Sequence, residues 1–187
     1  TQVLLPPTGS ALISTDQGCS WQRAGEPLAG QRGVDLTLDP SDPARLLLLM
    51  STAVGTDAEG YGLYRNLILE SRDDAHTFQV LATLASDFLP ETLEVAKSDP
   101  QRIYVSGTDR MNARLGIIER SDDGGASFQR STLELPAGTG SLYISAIAPD
   151  DPDRLWVRVP ARGDTFGLLP ARLMFSEDKG QTFRKIG

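Results

Sequence analysis

Cysteine, histidine and lysine are nearly absent from this chain of 187 residues, which has one cysteine, one histidine and three lysines. Cys19 cannot form a disulfide within the chain, so it is either a small buried side chain or the partner of a cysteine outside these residues. With His76 as the one histidine, the chain has too few groups for a zinc site or a Cys/His nucleophile pair. The sequence therefore predicts no metal and no cofactor.

Positive charge and long apolar runs are also scarce. The formal net charge is -7 and the sequence pI is about 4.7, with the arginines scattered along the chain. A nucleic-acid partner requires clustered lysine and arginine, so the composition argues against one. The longest apolar run, Leu46 to Met50, is too short to cross a bilayer and predicts no membrane insertion. No glycine-rich phosphate loop followed by Lys-Ser/Thr is present.

What the chain does contain is a motif that recurs four times, with the pattern Ser-x-Asp-x-Gly-x-Ser/Thr-aromatic; we call it the Ser–Asp turn. Its copies are Ser14, Asp16, Gly18 and Trp21; Ser71, Asp73 and Phe78; Ser121, Asp123, Gly125 and Phe128; and Ser176, Asp178, Gly180 and Phe183. Self-similarity with a period of roughly 50 residues is typical of an architecture built blade by blade. In the second copy Ala75 replaces the glycine, which predicts a strained or differently shaped turn.

The residue types in the Ser–Asp turn suit a hairpin. The aspartate can accept backbone N–H groups, the glycine can adopt a positive φ, and the aromatic side chain is expected to be buried between sheets. A metal or acid–base role for these aspartates is disfavoured, because every repeat has the same set and the spacing differs from that of a calcium-binding loop.

A second motif, Asp-Pro followed by x-Arg and an apolar run, alternates with the first at Asp42, Asp99 and Asp151. Proline and aspartate favour a tight turn, and the flanking runs predict two antiparallel strands joined there. Further strands enter and leave each Ser–Asp turn, so one repeat has four strands, A to D in chain order. Residues 87–97 could instead begin a capped helix, but the repeat places strand A there.

These patterns predict an all-β fold, a β-propeller with four-stranded antiparallel blades at about residues 1–25 (incomplete), 33–83, 91–134 and 142–187. Because the first blade starts at strand B, we expect a partial propeller of about four blades. The remaining blades would lie in the same longer chain or in a second copy, and a complete four-bladed ring is the alternative.

The four Ser–Asp turns resemble the Asp-box, or bacterial neuraminidase repeat, of sialidases, xyloglucan-cleaving glycoside hydrolases, sortilin-type receptor domains and photosystem II assembly factors. The Asp-Pro motif is most similar to that of the xyloglucanase and assembly-factor groups. This resemblance covers essentially the whole chain and implies a propeller fold, with an extracellular or periplasmic location favoured. It also implies that a ligand binds at the end of the blades opposite the Ser–Asp turns. It does not imply one activity, since these relatives share hairpins and not chemistry.

In a four-stranded meander the A–B and C–D turns share one end, which we call the turn end, and the B–C and D–A connections share the other, the loop end. Function is expected at the loop end, where the sequence varies between repeats. The B–C connections are predicted at 51–61, 107–114 and 160–170, and the D–A connections at 25–33, 86–91 and 136–141. The candidate ligand-binding residues in these connections are Asp57, Asp109, Arg110, Arg114, Arg162 and Asp164.

A glycoside hydrolase would require two carboxylates about 5–10 Å apart, and the candidates near the start of strand A are Asp35, Glu91 and Glu94. A sialidase is disfavoured because no Arg-Ile-Pro segment is present and the arginines that enter strand C are out of register. The favoured function is therefore non-catalytic binding of a glycan or protein at the loop end. The alternative is a sialidase-like or xyloglucanase-like glycoside hydrolase whose full site needs further blades.

Overall fold

The structure, a computed structural model, describes residues 2–6, 11–23, 28, 31–136, 140–160, 162–164, 167–169 and 171–186, with the backbone alone for 162–164 and 167–169. All regular elements in these ranges are β-strands, as the sequence predicts. They are β1 Gln2–Leu4, β2 Leu12–Ser14, β3 Gln22–Arg23, β4 Gly33–Asp39, β5 Asp42–Thr56, β6 Gly62–Ser71, β7 Gln79–Leu84, β8 Phe88–Ala96, β9 Asp99–Asp109, β10 Leu115–Ser121, β11 Gln129–Glu134, β12 Tyr143–Ala148, β13 Asp151–Val159, β14 Arg162–Asp164, β15 Gly167–Leu169, β16 Arg172–Ser176 and β17 Arg184–Ile186. No helix in the described ranges could span a membrane.

The strands form antiparallel meanders. Sheet 1 has the order β1-β2-β3, sheet 2 β4-β5-β6-β7, sheet 3 β8-β9-β10-β11, and sheet 4 β12-β13-β16-β17, while β14 and β15 form a separate hairpin. The predicted four-stranded antiparallel sheets are thus confirmed. The chain divides into two compact units, 1–86 with sheets 1 and 2, and 87–187 with sheets 3 and 4. We call these the N-terminal and C-terminal units.

The core of the N-terminal unit forms around β5. This strand is hydrogen-bonded to β4 on one edge and β6 on the other, and all side chains of its continuous apolar run from Leu46 to Met50 are buried. Leu48 and Met50 pack with Leu69 of β6 and with Ala11, which precedes β2. The longest apolar run of the sequence is therefore a buried central strand.

The core of the C-terminal unit lies between sheets 3 and 4, where β12 packs against β8 and β9. Leu155 and Val157 of β13 pack there with Tyr104 and Ile118 of sheet 3. The Tyr104 hydroxyl donates to the Pro152 carbonyl oxygen at 2.8 Å. Polar contacts at the turn end thus supplement the apolar contact between these two sheets.

The four Ser–Asp turns share one set of hydrogen bonds. In each turn an aspartate oxygen accepts the backbone N–H of the serine or threonine four residues later at 2.9 Å. Hydrogen bonds from the hydroxyl and backbone N–H of Ser20, Thr77 and Ser127 lower the pKa of Asp16, Asp73 and Asp123, respectively, to about 2. Each aspartate therefore closes its own hairpin as a carboxylate.

Ala75 adopts the same backbone conformation as the glycines it replaces. Its φ is +66°, compared with +102° for Gly125 and +77° for Gly180. Its N–H donates to Ser71 Oγ at 3.0 Å, as that of Gly125 does to Ser121 Oγ at 2.8 Å. Of the two alternatives predicted from the sequence, strain is correct and a differently shaped turn is not.

We expect Ala75→Gly to stabilise the protein only slightly, by no more than about 0.5 kcal/mol. A left-handed conformation costs alanine about 1–2 kcal/mol, and the greater chain entropy of glycine and the loss of the buried Ala75 methyl group offset most of that gain. Urea unfolding of the variant and of the parent protein would measure the difference. Gly125→Ala is the matched control and should shift the midpoint in the opposite direction; a loss of stability in Ala75→Gly would contradict the strain.

Trp21 corrects the expectation that all four aromatic side chains are buried between sheets, since it is 39% exposed. Its indole N–H donates to the Gly18 carbonyl oxygen at 3.1 Å, so the ring lies against its own turn. Phe78 and Phe183 do pack against the cores of their units.

The Asp-Pro motif opens strand B and does not form the centre of the turn, contrary to the prediction. The two-residue reversals lie at 40–41, 97–98 and 149–150, and Asp42, Asp99 and Asp151 are the first residues of β5, β9 and β13. The sheet register shifts beside each reversal, where a proline without an N–H is tolerated. Asp42 still accepts the N–H of Ala44 at 3.1 Å, as expected for this motif.

The connections at the loop end are shorter than predicted. Residues 51–56 extend β5, so the connection to β6 is 57–61 only, and β9 continues to Asp109. The predicted connection 160–170 includes the hairpin of β14 and β15. Glu91 lies inside β8 and not in a connection, and the helix alternative for residues 87–97 is wrong.

Candidate functional site

Four polar side chains converge at the loop end of the C-terminal unit: Glu91, Ser141, Tyr143 and Arg158. Glu91 lies near the start of β8, Ser141 and Tyr143 lie at the entry to β12, and Arg158 lies near the end of β13. In each sheet the start of strand A is next to the end of strand B, and β12 packs against β8. The topology therefore brings these residues together; we call them the Glu91 cluster.

Glu91 is positioned by an irregularity in the β8–β9 pairing. The register shifts between Pro90 and Thr92, which makes Glu91 an extra residue in β8. Its Oε1 accepts the Ser141 hydroxyl at 2.7 Å. Ser141 has a φ of +55°, a conformation that is costly for a residue other than glycine. Strained residues are concentrated at functional sites, and so are β-bulges, which change the direction of a side chain.

Tyr143 lies beside Glu91 and is half-buried. Burial raises the pKa of its phenol, and the negative charge of Glu91 raises it further. The hydroxyl is therefore protonated at neutral pH and can donate a hydrogen bond. A phenol with a raised pKa is a poor nucleophile, so the pair is better suited to binding than to covalent catalysis.

Arg158 completes the cluster from the neighbouring strand. It is the direct cross-strand partner of Tyr143, and its guanidinium lies 4.6 Å from the centroid of the Tyr143 ring. This distance is within the range of a cation–π interaction. The Arg158 side chain is exposed, so the N–H groups at the edge of the guanidinium can reach a ligand.

Of the three candidate carboxylates, one belongs to this cluster. Glu91 is a member, whereas Glu94 is paired in register with Tyr104, further along β8 towards the turn end. Asp35 lies on β4 in the N-terminal unit and accepts the N–H of Leu36 at 2.9 Å. The structure does not bring the three together as one set.

The predicted ligand-binding residues lie in different local settings. Asp57 closes the β5–β6 hairpin by accepting the N–H of Tyr61 at 2.7 Å. Asp109 accepts two backbone N–H groups, from Met111 and Asn112, both at 2.8 Å. These contacts give both aspartates a role in shaping their turns.

The candidate arginines are also spread out. Arg114 forms an exposed ion pair with Glu134 at 3.1 Å, and the backbone N–H of Arg110 donates to the Asp87 carbonyl oxygen at 2.8 Å. Arg162 and Asp164 are the end residues of β14, and their side chains lie outside the described part of the structure. Their binding roles stay predictions.

Sequence reasoning missed Ser141, Tyr143 and Arg158. Neither of the two repeated motifs includes them, and no spacing rule singles them out. The pairing of Tyr143 with Arg158 depends on two register shifts between β12 and β13, which the sequence does not indicate. In the described residues no group of three or more His, Cys, Asp or Glu side chains could hold a metal ion.

No family model and no curated protein matches the chain. Among solved structures it is similar to the GH74 enzyme of Niastella koreensis, with 18% identity and a TM-score of 0.65 over 98% of this chain and 27% of that one. A protein of unknown function from Dyadobacter fermentans matches with 16% identity and a TM-score of 0.64 over 99% of this chain and 54% of that one. The GH74 xyloglucanase of Xanthomonas campestris matches with 18% identity and a TM-score of 0.59 over 98% of this chain and 28% of that one.

These similarities show the fold, which is a β-propeller of four-stranded antiparallel blades. The chain spans about a quarter of the length of the two GH74 enzymes and about half of the Dyadobacter fermentans protein.

Proposed function

We propose that this chain is part of a larger Asp-box β-propeller and that it binds a glycan at the Glu91 cluster. The further blades would come from a longer chain or from a second copy. The observation that carries the proposal is the convergence of a carboxylate, a protonated phenol and a guanidinium around one aromatic ring.

The chemistry of the cluster suits a sugar. Each sugar hydroxyl both donates and accepts hydrogen bonds, and Glu91 offers acceptors while Arg158 offers donors. The Tyr143 hydroxyl can donate, and its ring supplies apolar surface for the C–H groups of a pyranose. A few placed polar groups around an aromatic surface are typical of small-molecule sites.

Binding without hydrolysis is favoured by the partners of Glu91. Hydrolysis of a glycosidic bond uses two carboxylates about 5–10 Å apart. Glu91 instead lies with the hydroxyls of Ser141 and Tyr143, and Asp35 belongs to the other unit. Since the solved GH74 enzymes are three to four times as long as this chain, a glycoside hydrolase completed by further blades is the second candidate.

We expect Tyr143→Phe to weaken glycan binding roughly 10-fold, the value of one hydrogen bond of about 1.4 kcal/mol. Isothermal titration calorimetry would measure binding of oligosaccharides from xyloglucan, β-1,3-galactan, pectin and glucuronan. Tyr61→Phe, an exposed tyrosine in the N-terminal unit, is the matched control and should bind like the parent protein.

Two outcomes would contradict the proposal. One is the absence of binding to every oligosaccharide of the panel by a folded protein. The other is release of shorter sugars that stops in Glu91→Gln, which would make Glu91 part of a catalytic site. Product analysis by chromatography separates binding from hydrolysis in the same samples.

A further inference from the structure

The arginines of this acidic chain are mostly neutralised by its own carboxylates. Among the described residues, eight form ion pairs: Arg45, Arg72, Arg102, Arg114, Arg120, Arg130, Arg154 and Arg184. The repeat position equivalent to Arg158 in sheet 3 is Ser106, which is fully buried. Arg158 is thus a cation that the repeat does not require.

Arg158 forms no ion pair with any carboxylate in the described part of the chain. Its contact is with the face of the Tyr143 ring, at 4.6 Å from the centroid. A guanidinium that stacks on a ring has its orientation fixed while its N–H edge stays available. In a stacked arrangement two parallel N–H donors can reach a ligand.

The carboxylate of the Glu91 cluster is engaged by other groups. Glu91 Oε1 accepts the hydroxyl of Ser141 at 2.7 Å, and the charge of Glu91 acts on the Tyr143 phenol. The strained Ser141 and the bulge at Glu91 hold this acceptor on the sheet 3 side of the cluster. The site therefore has an acceptor side at Glu91 and a cationic side at Arg158.

We propose that the sugar bound at the Glu91 cluster is a uronic acid, and that Arg158 binds the exocyclic carboxylate of this sugar. This inference rests on the proposed glycan binding and specifies its ligand. Arginine and a carboxylate match in geometry through two parallel N–H···O bonds, and such bonds are about twice as strong as neutral ones. The protonated Tyr143 hydroxyl can donate to the same sugar, and Glu91 accepts one of its hydroxyls.

The test compares matched acidic and neutral oligosaccharides by calorimetry at pH 7 and constant ionic strength. Glucuronate oligosaccharides are paired with glucose oligosaccharides, and galacturonate oligosaccharides with galactose oligosaccharides. We expect the acidic member to bind roughly 10- to 100-fold more tightly, as a charge-assisted hydrogen bond would give.

Arg158→Met keeps an apolar stem over the Tyr143 ring but removes the charge, so the variant should fold and lose the preference for the acidic sugar. Arg158→Lys should retain part of it, because lysine offers charge without the paired donors. Arg65→Met, an exposed arginine in the N-terminal unit, should leave the preference unchanged. Near-UV circular dichroism checks that each variant is folded.

The results separate this inference from the proposed function. Equal binding of acidic and neutral sugars, or a preference for the neutral ones, would overturn the uronic acid while leaving glycan binding in place. A preference that persists in Arg158→Met would also overturn it, because the carboxylate would then be held by another group. Absence of binding to all four oligosaccharide types and to the xyloglucan oligosaccharides would overturn both.

Discussion

Gly107→Ala is expected to destabilise the C-terminal unit by about 3 kcal/mol or more, because a side chain at this position meets backbone on the neighbouring strand. A Cβ on Gly107 would lie 2.1 Å from the Leu89 carbonyl oxygen and 2.8 Å from Pro90 Cα. It would also lie 2.7 Å from Cε2 of Phe88, which is fully buried. Backbone atoms within a sheet cannot move aside without breaking the β8–β9 pairing.

The same contact links Gly107 to the candidate site. Gly107 is paired in register with Pro90, directly beside the shift that makes Glu91 an extra residue in β8. We therefore expect any folded fraction of Gly107→Ala to have lost glycan binding, because the bulge that positions Glu91 would be displaced. The loss of binding and the loss of stability would arise from one clash.

Urea unfolding would measure the effect, and Gly116→Ala in the same sheet is the matched control. A Cβ on Gly116 would meet the ends of Leu142 and Leu135 at 3.0 and 3.1 Å, and its contact with backbone, the Leu133 carbonyl oxygen, would be at 3.3 Å. Flexible side-chain ends can yield by a few tenths of an ångström, so we expect the control to lose no more than about 1 kcal/mol. If Gly107→Ala and the parent protein had the same unfolding midpoint, β8 would be able to move away from the added Cβ, and the prediction would be wrong.

The two repeated motifs explain why the sheets could be predicted from the sequence. The Ser–Asp turns mark where strand C passes into strand D, and the Asp-Pro motif marks the start of strand B, so strand positions at the turn end follow from the motifs. Strand ends at the loop end do not follow, because no motif repeats there. The run 51–56 resembles a polar connection, and its pairing with β6 makes it a strand.

The candidate site could be predicted only in part, because its geometry depends on register shifts. The sequence predicts Glu91 near the start of strand A, and the structure has Glu91 there, at the register shift in β8. Counting back from the reversal at 149–150 pairs Tyr143 with Trp156 and not with Arg158. Two shifts in the β12–β13 register move the partner to Arg158. Bulges of this kind leave no clear mark in a single sequence.

Arg45→Met should cost about 3 kcal/mol at pH 7, since it leaves the buried Asp39 without its cation and the buried Glu70 with the exposed Arg72 alone. Arg45 donates to Glu70 at 2.7 Å and to Asp39 at 3.0 Å, and the side chains of the two acids are only 5% and 4% exposed. Arg154→Met in sheet 4 is the matched control. Its side chain is 35% exposed and pairs with the exposed Asp150 and Asp151, so a loss below about 1 kcal/mol is expected.

The pH dependence of this loss identifies its cause. Burial alone would raise the pKa of Asp39 and Glu70, but hydrogen bonds outweigh burial and lower both pKa values. Ser41 and Arg45 donate to Asp39, and Arg45 and Arg72 donate to Glu70. A carboxyl whose pKa is lower in the folded state stabilises the protein above its unfolded pKa of about 4 and loses this effect as the pH falls through its folded pKa.

Without Arg45 the buried acids can instead take up protons at low pH. Urea unfolding at pH 7 and pH 4 should therefore show a smaller difference between Arg45→Met and the parent protein at pH 4. An equal difference at both pH values would mean that lost packing, and not unpaired charge, causes the destabilisation.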